Sequence, residues 1–419
     1  MTHFTTLLQS EIRPALGVTE VGAIALAAAR AYAEVGGAVL HIEMSMNGGM
    51  YKNGFSCSIP GTEELGCEMA AALGALGGKW ELGLECLKGI TGEQVEQAKS
   101  IPVDLSLAKE RESIYIEAEV TTTRGIGIAR IEGTHDNIVY VAKNNEIVLI
   151  KEQIKEETAQ EMLDFDTITI AEMVDYASTV SIDELIIIKE MIAMNCRLSE
   201  EGQKGLGLSI GATLDAFHQK GVLGIDMIYQ AQKLTCGAMD ARLSGLPFPA
   251  MSIVGSGSHG IVCSLPVVSY GRSINASEDE IIRAVTLSCL VTIFSKHYTG
   301  RLSALCGCVL GGGSGAAAGL TFLMGGGATE VSNAINHLAA NLTGMICDGG
   351  STGCSLKAST GVYTSFLSAM LAINKKAIPN YFGVVGSSAE QTTKNLGRIS
   401  TEGMYTMDTT IINIMQQKK

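Results

Sequence analysis

Residues 302–329 read LSALCGCVLGGGSGAAAGLTFLMGGGAT, a run without a single charge. Such a segment has to leave water, either in a protein core or in a bilayer. Nine of its residues are glycine, and an isolated span that rich in glycine makes a poor helix. The expectation is therefore buried helix broken by tight loops, not a membrane span. A chain of 419 residues is long enough to enclose it, in two or more domains. An apolar content of 46 % fits a well-buried globular protein.

The charge balance excludes several partners. A net charge of −13 disfavours nucleic acid and anionic membranes. Aromatic residues are few, with one Trp, so a stacking surface for bases is not expected. The start MTHFTTLLQSEIRPALG has no basic segment followed by an apolar run, which points away from an export signal and towards the cytoplasm. The eleven cysteines are then reduced thiols, used for metal ligation or for packing.

The hydrophobic period divides the chain. EVGAIALAAARAYAEV, capped by Thr19 and stopped by Gly36-Gly37, predicts a helix apolar on nearly all sides. AVLHIEMS (38–45) reads as a strand and EELGCEMAAALGALGG as a helix. From 112 the period becomes two: SIYIEAEVTTT, GIGIARIEG, NIVYVA and EIVLIKE are separated by turn residues and predict an antiparallel sheet. The charged run 151–166 predicts a solvated helix. Helical patterns follow near 169–178, 182–196, 199–219, 222–242, 277–296, 330–346 and 359–373. The predicted class is α+β, with an α/β domain over 38–160 and a mainly helical domain over 161–419. The N-terminal helix of residues 1–37 is expected to pack with the helical domain.

Chemistry concentrates in three segments: VGSGSHGIVCSLPV (254–267), SKHYTGRLSALCGCVLGGGSGAAAG (295–319) and MICDGGSTGCSLKAST (345–360). Thiolates from two separate segments can hold irons of a cubane cluster, and glycine lets backbone amides come close to it. Cys-x6-Cys is neither a zinc-knuckle nor a ferredoxin spacing. Read from the residues alone, metal ligands and inert thiols in small-residue helices both remain open. GSGSHG lacks the Lys-Ser/Thr ending of a phosphate loop and is not read as one.

PALGVTEVGAIALAAARA, YKNGFSCSIPGT, GSGSHGIVCSLPV, KHYTGRLSALCGC and CDGGSTGCSLKAST occur here in that order. Together they resemble the L-cysteine desulfidase family, also called UPF0597, which is related to the alpha part of iron–sulfur L-serine dehydratases. The resemblance runs along nearly the whole chain. It implies a helical catalytic domain with an α/β domain inserted near its start. It also implies a [4Fe–4S] cluster held by Cys306, Cys347 and Cys354, with Cys308 left to packing. The implied reaction is loss of a β-substituent, sulfide or water, from a small amino or hydroxy acid, giving a 2-oxo acid.

Two positions depart from the family pattern. Val18 stands where the family has a cysteine assigned as base, with Val21 in place of a proline, and Ser351 replaces a lysine of the cysteine loop. Valine cannot accept a proton, so His259 is the first choice of substitute base, against a reading as a hydrogen-bonded turn residue. Lys296 matches a family lysine and can bind a carboxylate or titrate if buried. Glu20 can carry protons or stabilise a helix start. Lys52, Asn53 and Ser258 are expected to hold the substrate. Arg301 either binds its carboxylate or caps a helix end. The other cysteines, Cys57, Cys67, Cys86, Cys196, Cys236, Cys263 and Cys289, are read as core thiols. Three functions are carried forward: the cluster-dependent lyase, a cysteine desulfidase with a substitute base, and a catalytically silent cluster- or ligand-binding relative. A homo-oligomer is expected from the apolar helical surface.

Overall fold

The computed structural model describes residues 3–111, 113–151 and 163–418. The solvated helix predicted over 151–166 falls largely outside the described residues.

The chain opens with helix α1 (His3–Glu11), strand β1 (Ile12–Leu16) and the long helix α2 (Thr19–Val35). Strand β2 (Val39–Met46) leads through the short helix α3 (Gly48–Gly54) to α4 (Gly66–Gly77), α5 (Gly92–Ala98) and β3 (Val103–Leu107). Strands β4 (Tyr115–Thr122), β5 (Gly125–Glu132), β6 (Ile138–Lys143) and β7 (Glu146–Ile150) then form a meander. Helices α6 (Ile170–Thr179), α7 (Ile186–Gly202), α8 (Ile210–Gln219) and α9 (Met227–Leu243) follow, then strand β8 (Pro249–Ile253). The chain continues with α10 (Gly257–Ser273), α11 (Glu278–Thr299), α12 (Gly313–Leu323), α13 (Ala328–Leu342) and α14 (Gly353–Ile373). It ends with α15 (Ala389–Arg398) and α16 (Met407–Gln416).

The fold is α+β. The meander is antiparallel, as its alternation predicts: Ile116, Ala118 and Val120 point inward while Glu117 and Glu119 sit between them. Asn144 and Asn145 both take positive φ, 47° and 71°, and close the β6–β7 hairpin. The sheet is mixed, however. Its order is β3-β2-β4-β5-β6-β7, and β3 lies parallel to β2.

Helix α2 packs mainly on the sheet and α4, and only its start reaches the helical part. It lies between the sheet and α4, which is why it is apolar nearly all round. The approach is close: a side chain at Gly127 of β5 would come 2.0 Å from the Ala31 carbonyl oxygen. What joins the N-terminus to the helical part is β1, paired antiparallel with β8 from Ile12↔Ile253 to Leu16↔Pro249, together with α1, which touches α11.

The uncharged stretch is buried from Ala304 to Thr321 apart from half-buried Gly307, while the segment 322–329 reaches the surface. A π-helical turn over Cys308–Gly312 runs into α12, which is surrounded by α10, α11, α13 and α14. Among the described residues no helix is long and apolar enough to cross a membrane.

Candidate functional site

A cleft with about 660 Å³ of empty space, partly continuous with solvent, opens where eight segments meet. These are the start of α2, α3, the β5–β6 turn, the end of α9, the start of α10, the last turn of α11, residues 301–308 and the loop before α14 with the first turn of that helix.

Backbone bonds bring the thiols there. Leu305 and Ile346 form an isolated antiparallel bridge, Cys306 N–H donates to the Met345 carbonyl at 2.9 Å and Cys347 N–H to that of Ala304 at 2.7 Å. Cys306 and Cys347 thus start from neighbouring extended segments. The glycines beyond Cys347 fold the loop back on α3. Gly349 has φ +97°, where an added side chain would meet the Lys52 carbonyl oxygen at 2.5 Å, and Gly350 N–H donates to the Asn53 carbonyl at 3.2 Å. Cys354 then enters at the start of α14, so all three expected ligands line one cleft. Cys308 lines it too, with its sulfur 3.3 Å from Cys306 Sγ.

The hydrogen bond from Cys308 brings the Cys306 thiol down to about 7, against the effect of burial. That bond and burial push the Cys308 thiol well up. Burial raises Cys347, and raises Cys354 to about 11. Cations ring the sulfurs. Lys357 donates to Asp348 and, at 3.1 Å, to the Ile346 carbonyl. Lys52, only 1 % exposed, donates to Asp408 at 2.8 Å. Burial works against its charge, but Cys347 and Asp408 outweigh that and raise its pKa. Lys52 therefore supports the cysteine loop from behind and does not line the cleft, contrary to a direct hold on substrate.

His259, Lys296, Glu20, Asn53, Ser258 and Arg301 do line it. His259 is buried on the first turn of α10, and desolvation with the nearby Lys296 charge keeps its imidazole well below 6.5. Lys296 donates to Ser303 Oγ at 3.1 Å, and burial lowers its pKa to about 8 although Cys347 and Cys306 pull upward. Burial would raise Glu20, yet His135 and Asn53 bring it to about 2, so it is a fixed anion and a poor base at neutral pH. Asn53 Nδ2 donates to Glu20 Oε1 at 2.8 Å, and His135 Nε2 stands 3.8 Å from the same oxygen. Arg301 is committed elsewhere: its Nη2 donates to both Glu11 oxygens at 2.8 and 2.9 Å. Val18, the N-cap of α2, lines the cleft beside the cysteine loop, its Cγ1 3.4 Å from where a Gly350 side chain would begin.

Sequence reading missed Arg242, His135 and Lys357, all in the cleft wall. The seven scattered cysteines are all buried, although Cys57 also donates to the Asn53 and Gly350 carbonyls at 2.7 and 3.1 Å. Among the described residues no group of three or more His, Cys, Asp or Glu side chains is arranged around a single metal ion.

Residues 81–413 match the family model for the serine dehydratase alpha chain. A UPF0597 protein of Clostridium botulinum is 43 % identical over 418 residues, covering 98 % of this chain and 97 % of that one. UPF0597 proteins of Clostridioides difficile and Bacteroides fragilis are each 38 % identical, over 98 % of this chain and 98 % and 97 % of theirs. By a model match over most of its length and relatives alike from end to end, the chain belongs to the serine dehydratase alpha chain family, within its UPF0597 group.

Proposed function

We propose that the chain is a lyase that removes a β-substituent, water or sulfide, from a small amino or hydroxy acid and yields a 2-oxo acid. The observation that carries this reading is the convergence on one cleft of three thiols with a buried imidazole and a buried amine.

The donor set fits an iron–sulfur cluster. Cys306, Cys347 and Cys354 offer sulfur alone, Cys306 ionises near neutrality, and Lys52, Lys296 and Lys357 surround the thiols with positive charge. These three residues would hold a [4Fe–4S] cluster, which when bound supplies a Lewis-acidic iron free of protein ligands. The chain's own groups do the proton work. His259 is kept neutral by burial, so its ring is open to an α-proton. Lys296, near 8, is mostly charged at neutral pH and serves as a second acceptor on the same wall only in its minor neutral form. Glu20 stays ionised and fixes Asn53. From an amino acid, elimination leaves an enamine, which tautomerises and hydrolyses to the 2-oxo acid and ammonia.

Val18 and Ser351 favour a second reading, a catalytically silent relative that keeps the ligand site. A cysteine desulfidase with His259 as substitute base is the third. One experiment separates them. The protein is purified without oxygen, its iron and sulfide are measured, and a panel including L-serine and L-cysteine is assayed for 2-oxo acid, ammonia and sulfide. Turnover that disappears in His259→Ala with iron retained supports the lyase. Iron without turnover of any panel member supports the silent relative, and protein that takes up no iron refutes the cluster.

A further inference from the structure

Arg242 sits in the last turn of α9 and is 3 % exposed. Its Nη1 donates to Ser258 Oγ at 2.9 Å, while Nε, also buried, has no hydrogen-bond partner. Burying a guanidinium without a carboxylate in contact is costly, and such groups are ordinarily paired. Glu20, the carboxylate whose charge reaches it, is already engaged by Thr19 and Asn53.

A second observation points to the same place. Arg242 lies directly against the start of α10: a side chain at Gly257 would fall 2.4 Å from its Nε. Helix α10 runs for 17 residues, and its N-cap Ser256 makes no side-chain hydrogen bond to the first turn. The amides of an uncapped first turn are donors for an anion, and the helix dipole favours negative charge there. Arg242, Ser256, Ser258 and His259 all face the cleft. Arg301, the arginine expected in this role, is bound to Glu11.

We propose that Arg242 and the first-turn amides of α10 form the seat for the substrate carboxylate. The identity of the anion as a small amino or hydroxy acid rests on the lyase reading. The acid supplies the contacting carboxylate that no described residue gives the buried guanidinium, and Ser258 fixes the other edge of the fork. His259 belongs to the same turn, so an acid seated there brings its α-carbon to the side of the cleft that the imidazole lines. Amides and esters of the same compounds leave the charge unmatched and are rejected.

The test is equilibrium titration of the full-length protein with L-alanine and short 2-hydroxy acids, none carrying a β-leaving group, each beside its amide. The native protein should prefer the acids. Arg242→Gln should weaken acid binding roughly 10- to 100-fold and abolish the preference, while Arg242→Lys keeps the charge, loses the planar fork and retains part of it. Circular dichroism checks folding. If Arg242→Gln does not fold, Arg242→Lys and Gly257→Ala, which pushes on the guanidinium, carry the test. A native protein without acid preference overturns the proposal. So does a preference that survives in Arg242→Lys at full strength and disappears in Arg301→Gln. Binding is read without turnover, which keeps the two claims apart. An inactive protein with an Arg242-dependent acid preference overturns the lyase and leaves the seat standing. An active lyase whose preference ignores Arg242 overturns the seat alone.

Discussion

Gly307→Ala tests the proton-transfer wall without touching a ligand or an acceptor. Gly307 has φ −62° and ψ −32°, a helical backbone that alanine takes without strain. Its new methyl would stand 2.4 Å from His259 Nε2 and 2.9 Å from Lys296 Nζ. Ordinary contact needs roughly 3.4 Å or more, so the imidazole must retreat by about 1 Å and the amine by about half that. Both side chains are buried, and overpacking of this size costs about 1–3 kcal/mol, which a folded domain survives. A displacement of about 1 Å in a reacting group costs about 10²-fold in rate. The expected result is a fall of about 100-fold in kcat for 2-oxo acid formation, with iron per chain unchanged and the thermal midpoint only modestly lower. The assay measures kcat, iron and melting on one anaerobic preparation. Native turnover in a folded variant would show that His259 and Lys296 are not the reacting groups. Loss of iron in step with activity would show that the methyl acts through Cys306 instead.

Cys306→Ala, Cys347→Ala and Cys354→Ala should each remove the visible charge-transfer absorbance of anaerobic protein. Cys289→Ala, at a thiol packed 3.6 Å from Met191 Sδ, should cost only about 1 kcal/mol in a denaturant titration; equal iron loss there would mean the ligands are misassigned. Val18→Cys places a thiol in the cleft wall beside Gly350 and should raise sulfide release from L-cysteine. An unchanged rate argues that Ser351 or the base, not Val18, sets that activity. Glu20 falls from 4.5 to about 2 on folding, so its stabilising contribution is present above about pH 4.5 and is lost as pH drops towards 2. Glu20→Gln should therefore be less stable than native by at most about 3 kcal/mol at pH 7, and the gap should close near pH 2. A gap independent of pH would rule out the charge as its source.

How much of this was legible in the sequence follows from how local each signal is. The β4–β7 meander was readable because alternation and Asn144-Asn145 act within a few residues. β3 was not, since five residues of alternation are too short to stand out. α2 was read correctly as buried, but an all-round apolar helix does not say what covers it, and only the sheet's approach through Gly127 decides that. The pattern over 199–219 reads as one helix, yet Gly205 and Gly207, at φ +101° and +56°, break it into α7 and α8. α10 opens on GSHG and contains Pro266, which together imitate a loop; burial on almost every side holds it helical regardless. The thiols could be named because the resemblance carried them, and the turn glycines then explain how they meet. Arg242 could not be named. At the end of α9 an arginine looks like an ordinary partner for the helix dipole, and nothing nearby in sequence reveals that its guanidinium is pressed against the first turn of another helix. His135 sits in GTHDN, which reads as a hairpin turn and is one, but the turn folds against the start of α2 and sets the charge of Glu20. The residues that give the cleft its electrostatic character are those whose meaning depends on contacts between distant segments. The sulfur-bearing residues announce themselves by type.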